Sequence, residues 1–289
     1  MHSFIKRAAA LLCAILLACA ALPAYAGSGE PFNVLLIGVD TKDEEQAGRS
    51  DVMLLISLSP EKGSVRMLSF LRDLYVPIPG HGQTRLNAAY FYGGERLLRD
   101  TLESAFGVHI DRYASVHFSL MAELVELAGG VEVDVSNKEL AQLNEIIRHY
   151  NKRIGEAVNQ DVLAAAGKQR LNGKQALSYC RIRKIDSDFQ RTGRQQAVLT
   201  ALFEQVRALD ALSLVKFTLQ ALGKVETDLT PQDIADLLPM LTQADASAIQ
   251  TAHVPFEGAY TDETIGGMMV LKPDFKQNQK LIQRFLSQP

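Results

Sequence analysis

The stretch Phe32–Asp40, reading F-N-V-L-L-I-G-V-D, is almost unbroken in apolar residues and ends on a carboxylate. A short run of this kind, without alternation, suits a central strand covered on both faces. Val52–Leu58 is a second apolar run, entered through Arg49-Ser50-Asp51. Pro60-Glu61-Lys62-Gly63 reads as a turn, and Val65–Phe70 returns as a third strand that leaves through Arg72-Asp73. If the second and third strands form a hairpin, the start of one and the end of the other share a sheet edge. If the first strand runs antiparallel to the second, its end joins them. One rim then gathers Asp40, Arg49, Asp51, Arg72 and Asp73.

Carboxylates beside arginines at strand ends suit a magnesium-assisted phosphate site, because magnesium takes one or two carboxylates together with substrate phosphate and water. The plainer alternative makes Asp40 and Asp51 turn residues and Arg72-Asp73 a local pair. A second charged segment, Tyr179–Gln196, places Arg181, Arg183, Arg191 and Arg194 around Asp186 and Asp188. Arginine suits phosphate because its planar fork donates in pairs and stays charged. Read as surface ion pairs, the same residues would contribute little. A helix beginning near Gln190 puts Arg191 and Arg194 one turn apart, with Val198, Leu199, Leu202, Phe203 and Val206 as an apolar stripe. Arg85 is a further candidate phosphate donor, and Asn87 a candidate helix cap or hydroxyl-orienting group.

The remaining pattern alternates strands with helices. Glu95–Phe106 reads as an amphipathic helix after Gly93-Gly94, Tyr113–Phe118 as a strand, and Ser119 as the cap of a helix running to Leu127. Val131–Val135 alternates as a strand. Glu139–Ile154 reads as a polar, exposed helix, and a further helix starts around Leu171–Leu177. Helices are predicted near 212–222 and 234–241, strands over Ile249–Pro255 and Met268–Leu271, and a closing helix over Phe275–Phe285. This order predicts an α/β fold with a mixed sheet carrying helices on both faces.

The N-terminus has a basic Lys6-Arg7 pair, an uncharged apolar run over Ala8–Leu22, and Ala24-Tyr25-Ala26 before Gly27. This is the layout of a secretory signal peptide over residues 1–26. The run is short of the ~20 residues of a membrane span but could act as a retained anchor. Lipidation at Cys19 is a third reading. All three place residues 27–289, read as a single domain, outside the cytoplasm. Without residues 1–26 the 30 basic residues lose two, the 33 acidic ones none, and the formal net charge moves from −3 to −5. That argues against nucleic-acid binding through bulk charge, so the basic residues act locally. Cys180 is then the lone cysteine and reads as a small buried filler rather than a nucleophile.

Six blocks in order resemble the LytR-CpsA-Psr family of cell-envelope proteins: N-V-L-L-I-G-V-D at Asn33–Asp40, G-R-S-D at Gly48–Asp51, S-F-L-R-D at Ser69–Asp73, R-L-N-A-A-Y at Arg85–Tyr90, L-N-G-K-Q-A-L-S-Y-C-R-I-R at Leu171–Arg183, and D-S-D-F-Q-R-T-G-R-Q-Q at Asp186–Gln196. Departures from the family pattern are Gln190 for a usual glycine, Leu71 for a common proline, and Arg85 where lysine is frequent. None removes a charged group.

The resemblance implies an α/β/α sandwich and an extracytoplasmic phosphotransferase of the cell envelope. Such an enzyme moves a glycopolymer, such as teichoic acid or capsular polysaccharide, from a polyprenyl-pyrophosphate membrane carrier onto peptidoglycan. It implies Mg2+ held by Asp40 and Asp51. It also implies a pyrophosphate clamp of Arg49, Arg72, Arg85, Arg181, Arg183, Arg191 and Arg194, helped by Gln195. Asp51 or Asp73 would accept the proton of an attacking sugar hydroxyl, with Arg72 and Arg183 at the reacting phosphate. A polyprenyl-phosphate carrier or sensor without transfer, or a lipid pyrophosphate hydrolase, would use much of the same residue set.

Overall fold

The computed structural model describes residues 31–40, 48–59, 64–183, 185, 187–210, 213, 217, 225–230, 232–233 and 249–287. The elements in chain order are β1 (Phe32–Asp40), β2 (Arg49–Ser59), β3 (Ser64–Phe70), β4 (Tyr75–Ile78), β5 (Gly82–Arg85), α1 (Asn87–Phe106), β6 (Arg112–His117), α2 (Phe118–Leu127), β7 (Val131–Val135), α3 (Asn137–Ile154), β8 (Gly167–Leu171), α4 (Gly173–Cys180), α5 (Asp188–Arg207), β9 (Glu226–Thr227), β10 (Ile249–Val254), β11 (Tyr260–Ile265), β12 (Met268–Pro273) and α6 (Phe275–Ser287). The leader, the 60–63 turn, Asp186, and nearly all of the helices predicted near 212–222 and 234–241 lie outside the described residues. Contacts divide the chain into two compact units, 1–117 with 221–289, and 118–220.

The first unit is built on a six-stranded mixed sheet in the order β10-β3-β2-β1-β6-β9. β1 pairs antiparallel with β2 and parallel with β6, β2 antiparallel with β3, and β3 parallel with β10. The expected central position of the first strand is therefore observed, and its apolar run explains it: Val34, Leu35 and Ile37 are fully buried, as are Leu55, Leu58 and Leu68 beside them. Burying a branched side chain of this kind contributes about 1.5–3 kcal/mol. Helix α1 lies against β2, and α6 against α1. Phe106 ties these layers together, with ring centroids 5.3 Å from Phe70 and 5.8 Å from Phe275. The chain is thus an α/β sandwich on a mixed central sheet.

These strand directions put the C-terminal ends of β1, β3, β6 and β10 and the start of β2 on one rim. Asp40, Arg49, the Arg72-Asp73 exit and His117 share that rim. Two short hairpins extend the unit: β4 with β5, and β11 with β12.

The second unit contains the β7–β8 hairpin and helices α2 to α5, with α4 against α2, α3 and α5. Ser136 and Glu139 form a reciprocal cap at the start of α3, and Asn172 and Gln175 do the same for α4. Each such box satisfies backbone N–H groups that a helix start leaves open.

Several local expectations are corrected. Helix α3 is not exposed all round: Leu143, Asn144, Ile147 and Asn151 are buried, because its apolar residues repeat at helical spacing among the polar ones. Asn87 does not cap α1 but is its first residue, after Leu86. Ser119 lies inside α2, which starts at Phe118. Leu171 ends a strand, and Asn172 caps the helix that starts at Gly173. The expected break at Gly93-Gly94 is observed as a kink inside α1, where Gly94 has φ 65° and ψ −155°. Only glycine visits that region freely.

Candidate functional site

In the first unit, the aim of Asp51 is set by an irregularity in the β1–β2 pairing. Gly38 is opposite Val52, but Val39 is opposite Ser50, so Asp51 is the extra residue of a bulge in the ladder. A bulge of this type redirects a side chain at a sheet rim. Gly38 is what lets the strands approach here: a Cβ on it would lie 2.7 Å from the Cβ of Val52. The glycine of the N-V-L-L-I-G-V-D block therefore supports the carboxylate of the G-R-S-D block.

Arg72 Nη1 donates to Asp51 Oδ1 at 2.9 Å, and Arg72 Nε lies 3.7 Å from Asp73 Oδ2. Arg85 Nε is 3.2 Å from Asp73 Oδ1 and also donates to the Met269 carbonyl, as does its Nη2. The structure thus strings Asp51, Arg72, Asp73 and Arg85 into one chain of alternating charge. Its base is rigid. Within the turn after β3, Leu71 N donates to Val254 O and Leu74 N to Leu71 O. Asn87 N donates to Arg72 O and Leu271 N to Asp73 O. Asp73 Oδ1 is buried and accepts no hydrogen bond among the described residues, despite its nearby arginine.

Arg49 stands apart from that chain. Its guanidinium lies over the Phe91 ring, 6.0 Å from the centroid, and among the described residues it has no carboxylate partner. Asp40 is its cross-strand neighbour by register; the Asp40 side chain lies outside what is described. His117, on the same rim as the last residue of β6, was missed in the sequence because its strand ended in an ordinary alternation.

The second unit holds the arginine segment. Helix α4 ends with Arg181 at its C-cap, Ile182 is buried, and Arg183 is exposed. Helix α5 starts at Asp188, two residues earlier than expected. A carboxylate in the first turn faces the positive end of the helix dipole, which explains the earlier start. Gln190, the departure from the family pattern, accepts from the Ser187 hydroxyl and so closes this turn. Arg191 is 2 % exposed and pairs with Asp188 at 2.5 Å. Arg194 is 4 % exposed; its Nη1 donates to Glu139 Oε1 at 3.2 Å and its Nη2 to the Ile182 carbonyl at 2.9 Å. Gln195 is buried beside it.

Glu139 was not anticipated here. Its Oε1 also accepts from the Tyr179 hydroxyl at 3.3 Å, while its Oε2 caps Ser136. The S-x-x-E cap was legible at Ser136–Glu139; its second use, as a brace for Arg194, required the fold. Burial, reinforced by the Glu139 charge, pushes the Tyr179 phenol well above its usual range. Burial also pushes the Cys180 thiol up to about 12, against the pull of Arg194 and Arg181. A thiol held neutral in this way is no nucleophile near pH 7, in line with its reading as filler.

The resemblance implies a magnesium ion, and the donor chemistry of the rim fits one. Asp51 offers carboxylate oxygens at the bulge, and Asp40 lies across from Arg49 on the adjacent strand end. Among the described residues, no three His, Cys, Asp or Glu side chains form a cage. The fit is therefore to a cation held by one or two carboxylates that completes its shell with substrate oxygen and water.

Comparisons with known proteins agree with the motifs. TagU of Enterococcus faecalis, named as a polyisoprenyl-teichoic acid–peptidoglycan teichoic acid transferase, is 36% identical over 211 residues, covering 71% of this chain and 64% of that protein. The chain thus spans a little under two thirds of that relative's length. TagT of Bacillus subtilis, named for the same activity, is 29% identical over 80% of this chain and 70% of its own. The crystal structure of B. subtilis TagT matches with a TM-score of 0.70 and 26% identity, over 92% of this chain and 93% of that one. TagT with bound octaprenyl pyrophosphate lipid matches at 0.68 and 25%, over 93% and 95%. A family model for the LytR_cpsA_psr family matches residues 21–285. That match takes in every arginine and carboxylate of the candidate site, and the chain belongs to the LytR_cpsA_psr family.

Proposed function

We propose that this protein is a glycopolymer phosphotransferase of the cell envelope. It moves a glycan, of the teichoic acid or capsular class, from a polyprenyl-pyrophosphate carrier onto peptidoglycan. The observation that carries the reading is the Asp51–Arg72–Asp73–Arg85 chain on the rim of the sheet, in a family whose relatives are named for teichoic acid transfer. The binding of octaprenyl pyrophosphate by TagT supports the same donor class. The exported location of this chain is part of the proposal, and rests on the leader pattern and on the acceptor named for the relatives. Among the described residues no helix is long and apolar enough to cross a membrane.

Phosphoryl transfer asks the protein mainly for position and charge neutralisation. Arg72, fixed between Asp51 and Asp73, presents its guanidinium to the phosphoryl group undergoing transfer. Arg49 and Arg85 add charge on the same rim. The resemblance also assigns Arg181, Arg183, Arg191, Arg194 and Gln195 to the pyrophosphate; they belong to the second unit, where Arg183 is exposed. Asp73, or Asp51, takes the proton of the attacking sugar hydroxyl. The hydroxyl oxygen bonds to phosphorus, the bond to the bridging oxygen breaks, and polyprenyl phosphate leaves. Asp40 and Asp51 would hold Mg2+, which when bound supplies positive charge to the phosphate oxygens.

Release of polyprenyl phosphate from a lipid-linked donor tests this reading, measured with and without peptidoglycan oligomers and with magnesium or chelator. Release that needs both acceptor and metal is expected. Release without acceptor would make the protein a hydrolase. Donor binding with no release would make it a carrier or sensor.

A further inference from the structure

We propose that His81, Phe91, Tyr92 and Arg49 form a sugar-binding platform for the glycan residue joined directly to the donor pyrophosphate. This rests on the transferase reading and goes beyond it, since none of the three ring-bearing residues belongs to the charged set.

Phe91 and Tyr92 are each 46% exposed, unusual for two adjacent large aromatic side chains. They are the last residues of the first part of α1, just before its break at Gly93-Gly94. They are ordered outside the core by one another and by polar neighbours. The His81 imidazole, at the tip of the β4–β5 hairpin, stacks on Tyr92 with centroids 4.5 Å apart and planes 8° from parallel. Tyr92 meets Phe91 edge-on at 5.8 Å. The Arg49 guanidinium lies over Phe91. The result is a preformed wall of ring faces that ends at a cation.

The chemistry of this wall selects its occupant. A pyranose has a face of C–H groups that lies against aromatic rings, and hydroxyls at its edge that bond to imidazole, phenol and guanidinium groups. Arg49 lacks a carboxylate partner among the described residues and stands two positions before Asp51 on β2. With one face on Phe91, its N–H edge remains for an anion. A phosphate held by Arg49 brings the sugar bonded to it within a ring's width of Phe91. The donor's first sugar, rather than the acceptor or the lipid surface, therefore fits the cation and the rings at once.

The test uses the full chain and measures binding of octaprenyl pyrophosphate, the same lipid carrying one N-acetylhexosamine, and anionic phospholipid vesicles. The wild type should prefer the sugar-bearing lipid. Phe91→Ala with Tyr92→Ala should lose about tenfold on that lipid, the order expected for two aromatic contacts, and nothing on the bare pyrophosphate. Phe91→Leu with Tyr92→Leu, which keeps apolar bulk, should lose the same preference. Equal losses on both lipids, lost vesicle binding in place of lost sugar preference, or a change confined to the KM for peptidoglycan oligomers would each overturn the platform and leave the transferase reading standing. A wild type that binds neither lipid would overturn that reading and the platform with it.

Discussion

Replacing Gly38 by alanine tests how the sheet aims its carboxylate. The added methyl would meet Val52 Cβ at 2.7 Å and Cγ2 at 2.9 Å, where ordinary contact starts at 3.4 Å. The strands must part by roughly 0.7 Å at the bulge that carries Asp51, or the neighbouring side chain must twist. Overpacking of this kind costs about 1–3 kcal/mol. For a domain of this size that lowers the melting temperature by roughly 2–12 °C. A displacement near 1 Å at a catalytic group costs on the order of a hundredfold in rate. Thermal unfolding and the donor-release rate give the two readouts. Val52→Gly removes both atoms that clash, so the double variant should recover part of each loss, seen as a favourable coupling in a double-mutant cycle. Gly38→Ala with unchanged stability and rate, or strictly additive losses in the double variant, would refute the reasoning.

Other consequences are equally direct. Glu139→Gln should destabilise the protein by about 1–3 kcal/mol in chemical denaturation, because it takes the charge from the acceptor shared by buried Arg194 and Tyr179. With Cys13 and Cys19 replaced by serine, Cys180 should resist a thiol reagent at pH 8 while the chain is folded and react fully in denaturant. Asp233 is pushed up by burial but pulled further down by hydrogen bonds from Arg112 and Thr230, and ends below its usual range. Its pairing with Arg112 therefore adds stability above the unfolded carboxylate range, lost as pH falls through the lower folded value. Asp233→Asn should flatten the acid limb of the stability curve below about pH 4; an unchanged limb would show that the pairing contributes nothing.

The sheet core and its rim were legible because their signals are local. The apolar run of β1 and charged residues at successive strand ends fix register and direction together. What escaped has long-range causes. β5, β8 and β11 are short and carry few apolar residues, so the apolar pattern did not mark them as strands. The bulge at Asp51 depends on a glycine thirteen positions earlier. The bracing of Arg194 by Glu139, 55 residues away, has no trace in the α5 segment itself. The Phe91–Tyr92 pair carries no charge that would mark it in the sequence, and its exposure is seen only in the fold.

The central claim is that a glycan phosphate is transferred to peptidoglycan. The most direct measurement is mass spectrometry of peptidoglycan oligomers after incubation with the protein, magnesium and a polyprenyl-pyrophosphate-linked glycan. The account predicts oligomers heavier by one glycan plus a phosphodiester phosphate, formed by the wild type and lost with Asp51→Asn or Arg72→Ala. Unmodified oligomers alongside donor that is fully bound, or donor hydrolysed to free glycan phosphate, would contradict it.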